Sequence, residues 1–234
     1  MARLDGRHPG ALGFARTGRT AREIAGGLAI GAAPLALVVA AMALLGWVRY
    51  QPDEGTVGLF VAVLVGDLTL FAVAAAAEEA VFRGYPFQVL VQSIGPVAAT
   101  ILASAAFSIA HLGNPNVGAF ALINIFLAGV LLSVAYLRTR SLWFATAIHT
   151  GWNWAMASVL DLPVSGLAHF DTPLYEPVLA GPAWATGGAF GPEGGFGSVI
   201  ALAIALWATL GIPGFEQSNR MKELRPLVDE RLKT

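Results

Sequence analysis

The chain has 234 residues, of which 56% are hydrophobic and 12% charged, and its mean hydropathy is +0.66. A soluble domain carries about 25% charged residues, so half that share leaves too few charges to coat a globule, and the bilayer must solvate much of the surface. A net charge of −1 with no basic face argues against a nucleic-acid partner, and the absence of cysteine excludes disulfides, thiol nucleophiles and cysteine-based zinc sites.

A spanning helix needs about 20 predominantly apolar residues. Six runs approach that length: 24–48, 57–79, 95–112, 117–137, 141–160 and 196–212, the last being the shortest. Lipid cannot satisfy open backbone groups, and no stretch shows the alternation of a barrel, so helices are expected throughout. The first run follows a cluster of arginines, as a signal peptide would. Its length of about 25 residues exceeds the usual apolar region of such peptides, and it is read as a retained span. Residues 82–94 are apolar but interrupted by Arg83, Gly84, Pro86 and Gln88, which predicts an interfacial or partly re-entrant helix. Residues 161–195 are rich in Pro and Gly and hold Asp161, Asp171, Glu176 and Glu193 without Lys or Arg. They read as an outer loop whose part 178–190 is apolar enough to dip into the membrane.

The expected fold is therefore an all-α membrane protein, a polytopic bundle of about six transmembrane helices plus that interfacial or re-entrant helix. It forms a single integral domain over 1–234, with a core at about 57–160, the outer loop at 161–195 and a cytosolic tail at 213–234. The tail, from Glu216 on, reads as a surface helix or as a solvated end. Arg3, Arg7, Arg16, Arg19 and Arg22 precede the first run or open it. Arg83 lies between the second and third, Arg138 and Arg140 between the fourth and fifth, and five more cations in the tail. With both termini cytoplasmic, thirteen of the fourteen Lys and Arg residues fall on one side and only Arg49 on the other, which fits six spans.

Ionisable groups inside spans are costly, so each points to function. Glu78 and Glu79 project about 100° apart on a helix and cannot share one role. Glu79 and Arg83 are four residues apart, and an ion pair between them would hold Glu79 ionised. Glu78 then faces elsewhere, either as a functional group or as a glutamate reaching the surface. Phe107 and His111 share a face of a helix lined with small residues, Ala99, Ala103, Ala106 and Ala110, which permit close helix approach. His149 and Asn153 lie one turn apart within an apolar run and must face the interior or a wet cavity, as interhelical glue or as a site. Asp67, about 16 Å from Glu78 along the axis, is assigned to packing or a polar pore.

Together these residues read Glu78-Glu79-x-x-x-Arg83, then Phe107-x-x-x-His111, then His149-x-x-x-Asn153. This order resembles the CPBP family of intramembrane proteases, the CAAX prenyl protease and bacteriocin-processing proteins also called Abi. The motifs run from Glu78 to Asn153, a third of the chain, and this chain has fewer spans than the eukaryotic prenyl-protein proteases of that family. The resemblance implies an intramembrane endopeptidase acting on a membrane-associated peptide or protein near the inner face. It makes Glu78 the base that activates water and gives His111 and His149 the positioning of water, polarisation of the carbonyl or binding of a metal. Asn153 becomes the oxyanion donor, with Glu79, Arg83 and Phe107 supporting. Two histidines and a carboxylate could hold zinc with an open position for water, but there is no HExxH, and a metal-free glutamate mechanism suits the same residues. Two other functions stand beside this one: a non-catalytic immunity or regulatory protein of the same fold, and a proton-coupled transporter. The latter would more often show two related halves, and none is evident.

Overall fold

A computed structural model describes residues 9–224, so Arg3 and Arg7 at the start and Arg225, Arg231 and Lys233 in the tail lie outside the described residues. The chain is built of helices α1 (Thr20–Leu44), α2 (Val57–Phe82), α3 (Tyr85–Ile94), α4 (Pro96–Ala110), α5 (Ala119–Thr139) and α6 (Leu142–Trp154). After these come the single turn α7 (Ala183–Thr186), then α8 (Phe196–Gly211) and the short α9 (Asn219–Leu224). Each expected run is a helix, displaced by a few residues at most of its ends. The one surprise is a two-stranded antiparallel ribbon of β1 (Val48–Pro52) and β2 (Tyr175–Leu179), with Tyr50 opposite Pro177. It takes in Val178 and Leu179, the first two residues of the apolar stretch 178–190.

The helices differ in length, and this decides where the polar residues come to rest. α1, α5 and the Val57–Ile94 run are long and apolar enough to cross a membrane, while α4 and α8 are shorter apolar helices. A helix of fifteen residues such as α4 reaches only about 22 Å, against about 30 Å of hydrocarbon. His111 caps the C-terminal end of α4 and so stops inside the bundle. α6 is shorter still and is extended to Val159 by a π-turn. The space above these two short helices is filled by the segment that follows α6: Asn114 donates to the carbonyl of Ser165 at 2.9 Å, and Tyr50 donates its hydroxyl to the carbonyl of Leu160 at 3.0 Å.

α6 sits at the centre, buried on nearly every side. It can do so because glycine lets α1 come against its backbone. A β-carbon at Gly31 would overlap the carbonyl oxygen of Ile148, one at Gly27 would press on Ala147, and one at Gly151 would overlap the Leu28 carbonyl of α1. α2 lies at the edge and buries only Phe71, Ala75 and Glu79. α3 buries Phe87, Gln88 and Val91, and Gln88 donates to the carbonyls of Ala11 and Leu12 in the segment before α1. Asp67 accepts from Ser158 Oγ at 2.9 Å, a packing bond between α2 and the π-turn.

Replacing Gly31 with Ala puts a methyl group against backbone that cannot yield as a side chain would. The Gly31→Ala protein is expected to melt several degrees lower in detergent and to displace His149, whereas Gly66→Ala, where a β-carbon meets nothing within 4 Å, is expected to melt like the parent. Thermal unfolding of the two variants side by side checks this.

Candidate active site

The site begins at the end of α2. Glu79 and Arg83 are both fully buried, and Arg83 Nη1 lies 3.1 Å from Glu79 Oε1. The remaining guanidinium donors reach the Gly129 carbonyl at 3.1 Å and Ser133 Oγ at 3.5 Å, both on α5. Arg83 is therefore no loop cation. It leaves the count of basic residues at the membrane surface and becomes the bolt between α2 and α5. Gly129 serves twice, since its missing side chain also lets Ser104 of α4 approach. The chain turns here at Gly84, where a β-carbon would overlap the Ala80 carbonyl, and Pro86 then opens α3.

Phe107 covers the bolt. The Arg83 guanidinium carbon lies 4.5 Å from the centre of its ring, a cation–π contact in a buried setting. The same ring touches both histidines, with centroids 4.7 Å from His111 and 5.9 Å from His149. The phenylalanine thus joins the motifs physically.

His149 Nδ1 lies 2.9 Å from Glu79 Oε1, the oxygen that also takes Arg83. An ion-paired carboxylate accepts only, so Nδ1 carries the proton and a neutral ring leaves the Nε2 lone pair toward the cavity. His111 arrives at the same tautomer by another route: its Nδ1 lies 2.7 Å from the Phe107 carbonyl, which also only accepts. Glu79 and Arg83, expected as supporting residues, contact His149 and Phe107. Glu78 faces the other way. Its Oε2 is shielded from solvent, has no hydrogen-bond partner and stands 4.0 Å from His149 Nε2.

Glu78, His111, His149 and Asn153 all line one cavity of about 500 Å³. Asn153 is half-buried, one turn beyond His149. The walls between are apolar, with Phe71 and Ala74 from α2, Ile125 and Leu132 from α5, and Phe170 from the outer segment. Asp67 and the serines Ser104 and Ser108 take no part in it. Asn114, Ser165 and Glu193, from segments that join the helices, line it too.

Glu193 is the residue the sequence reading passed over. It is 8% exposed. Oε1 accepts from the Trp152 indole at 3.0 Å, and Oε2 accepts from the Ser165 amide at 2.6 Å and hydroxyl at 2.8 Å. Asn124 Nδ2 grips the backbone on either side, at the carbonyls of Glu193 and Gly195. Three of these bonds tie the outer segment to α5 and α6 beside His149 and Asn153, and the two from Ser165 close the segment on itself. A lone glutamate among Gly and Pro gives no periodic signal, although Asn124 inside an apolar run is one.

Zinc held by His111, His149 and Glu78 requires donors bound at about 2.0–2.2 Å, hence close to one another. Among the described residues, the three-donor group whose atoms all lie within 4.8 Å of one another is Asp53, Asp171 and Glu176 at the exposed ribbon, and no such group includes Glu78, Glu79, His111 or His149. The tautomers suit a ligand role, with each second nitrogen donating to a carboxylate or carbonyl. The spacing does not gather a zinc set.

Residues 56–155 match the family model described as type II CAAX prenyl endopeptidase, Rce1-like. The match starts at the Thr56 cap of α2 and ends in the π-turn after α6, so it takes in all three motifs, and the resemblance to the CAAX-protease family holds over the segment that builds the site. That family is one of peptidases. Comparison with curated proteins and with solved structures returned no match.

Two substitutions probe the layer beneath the cavity and the segment above it. Glu79→Gln leaves Arg83 buried without its counter-charge, and breaking a buried pair costs about 3–5 kcal/mol, so a large fall in melting temperature is expected. Glu193→Gln offers one acceptor oxygen in place of two and sets an NH₂ against the Ser165 or Trp152 donor. It is expected to leave the bundle folded while speeding hydrogen exchange across 161–195, and uniform exchange in the two proteins would refute the tie.

Proposed function

We propose that this chain is an intramembrane endopeptidase in which Glu78 activates water. One observation carries the reading: a shielded carboxylate oxygen with no partner faces a cavity and stands 4.0 Å from an imidazole nitrogen whose tautomer a second carboxylate fixes. The Glu78 side chain as a whole is 37% exposed, while this oxygen is turned away from solvent toward the histidine. A gap of 4.0 Å suits a bridging water that donates one hydrogen to Glu78 and one to the Nε2 lone pair of His149.

The reaction follows from these roles. The water oxygen attacks the peptide carbonyl carbon as Glu78 takes its proton, and the carbonyl π-pair moves onto oxygen. The Asn153 amide donates to that oxyanion, a contact whose loss typically costs about 10²–10³ in rate. The C–N bond then breaks, and Glu78 returns the proton to the leaving amine. Glu79 holds the His149 ring, and His111, anchored on the Phe107 carbonyl, turns a second acceptor into the cavity to order water or a backbone N–H of the substrate. The mechanism routes no step through a metal, since the donors are not gathered around a common point. The substrate class is a membrane-associated peptide or protein, and the apolar walls suit an extended segment with hydrophobic side chains.

The test is cleavage of membrane-anchored peptides by the purified protein. Glu78→Gln and His149→Ala are expected to abolish cleavage while the protein stays folded, Asn153→Ala to slow it by about 10²-fold or more, and a strong zinc chelator to leave it unchanged. Activity in Glu78→Gln would overturn the mechanism, and loss on chelation with recovery on added zinc would overturn its metal-free form.

A further inference from the structure

We propose that the tight turn at Val164–Leu167, with Phe170 just beyond it, is the specificity wall of the cavity: Leu167 and Phe170 set the size of an apolar substrate side chain held near the scissile bond. This rests on the proteolytic reading above. The match to the CAAX-endopeptidase model ends at residue 155, so both side chains lie outside it. The matched segment supplies Glu78, His111, His149 and Asn153, and selection among substrates falls to a part of the chain that follows.

The turn is built to stay in place. The Val164 amide donates to the Leu167 carbonyl at 3.1 Å and the Leu167 amide to the Val164 carbonyl at 2.9 Å. Between them Ser165 and Gly166 both take left-handed backbone, with φ of 50° and 80°, as the two central residues of a tight hairpin turn require. Glycine is needed at the second place for a further reason, since a β-carbon there would overlap the Pro115 carbonyl oxygen. Serine is uncommon in this conformation, and Ser165 is held in it by all three of its polar groups. Its amide and hydroxyl donate to Glu193 Oε2, and its carbonyl accepts from Asn114 Nδ2.

The turn so fixed presents Leu167 to the cavity, and Phe170 lines it three residues on. Across from them α2 contributes one stripe, Leu70, Phe71, Ala74 and Glu78. The Phe170 ring packs against Phe71, with centroids 4.8 Å apart. At 1.5 Å per residue Phe71 stands about 10 Å from Glu78 along the helix, so the two rings bound the cavity at a distance from the reacting groups. Ala74, between Phe71 and Glu78, leaves room for a substrate side chain, and the rings limit its length. Leu70, Phe71, Ala74, Leu167 and Phe170 offer no side-chain hydrogen bond, so this end discriminates by size. One methylene more or less in an apolar pocket changes selection by about 10–200-fold.

The experiment compares kcat/KM in detergent for anchored peptides carrying Ala, Leu or Phe, in turn, at each of the three residues on either side of the scissile bond. The proteins are the parent, Phe170→Ala, Phe170→Leu, Leu167→Trp and, as control, Val73→Ala, a residue of α2 that is 66% exposed and does not line the cavity. At one position the parent is expected to prefer Leu to Phe. There Phe170→Ala is expected to raise the Phe-to-Leu ratio about 10-fold or more, and Phe170→Leu to raise it by less. Leu167→Trp is expected to lower the ratio while leaving kcat for the Ala peptide intact, and Val73→Ala to match the parent. Phe170→Leu and the rim residue Leu167 carry the test if the alanine variant does not fold. Ratios that stay unchanged at all six positions, or an equal fall for every peptide, would overturn the proposal and leave the protease reading standing. No cleavage by the parent would remove that reading and this proposal with it.

Discussion

Everything at the site hangs on one carboxylate oxygen. Glu79 Oε1 accepts from Arg83 and from His149, and through these two donors it joins α2, α5 and α6. Neither charge could stand in the bundle alone, because an isolated ion costs several kcal/mol to desolvate. Each is present because the other is, and the surplus lone pair of the arrangement fixes the His149 imidazole. The two adjacent glutamates thus divide the work by geometry: the 100° step of the helix turns one inward to the arginine and the other toward the cavity.

Much of this was legible in order and spacing. The i, i+4 relation of Glu79 and Arg83 announced their pair, and the apolar run around His149 and Asn153 required that both look inward. What spacing could not supply was the length of each helix relative to the bilayer. α4 and α6 fall short of a full crossing, so the ends that carry His111 and Asn153 stop inside the bundle, and the outer segment descends to meet them. The role of Glu193 and the ribbon of β1 and β2 depend on contacts between segments distant in sequence, 41 residues apart for Glu193 and Trp152 and over a hundred for the ribbon, for which a single sequence has no local mark. Arg83 shows the opposite failure: counted by position it is a loop cation, and only its partners reveal it as buried.

The central placement of α6 shows how small side chains and reactive ones support each other. Gly27, Gly31 and Gly151 bring α1 so close that α6 is walled on that side by backbone. A helix held in this way cannot rotate, and its His149 and Asn153 keep one face toward the cavity, the imidazole being held further by its bond to Glu79.

The stack of Phe82, Phe107 and Arg83 bears on the surrounding bilayer as well as on the site. A cavity within a membrane sits in a barrier whose value is its resistance to ions. Beside this one the buried charge comes as a pair, Arg83 with Glu79, and Phe107 lies over the guanidinium. The pair that orients His149 therefore presents no net charge, and that side of the cavity offers a passing ion no isolated charge on which to pause.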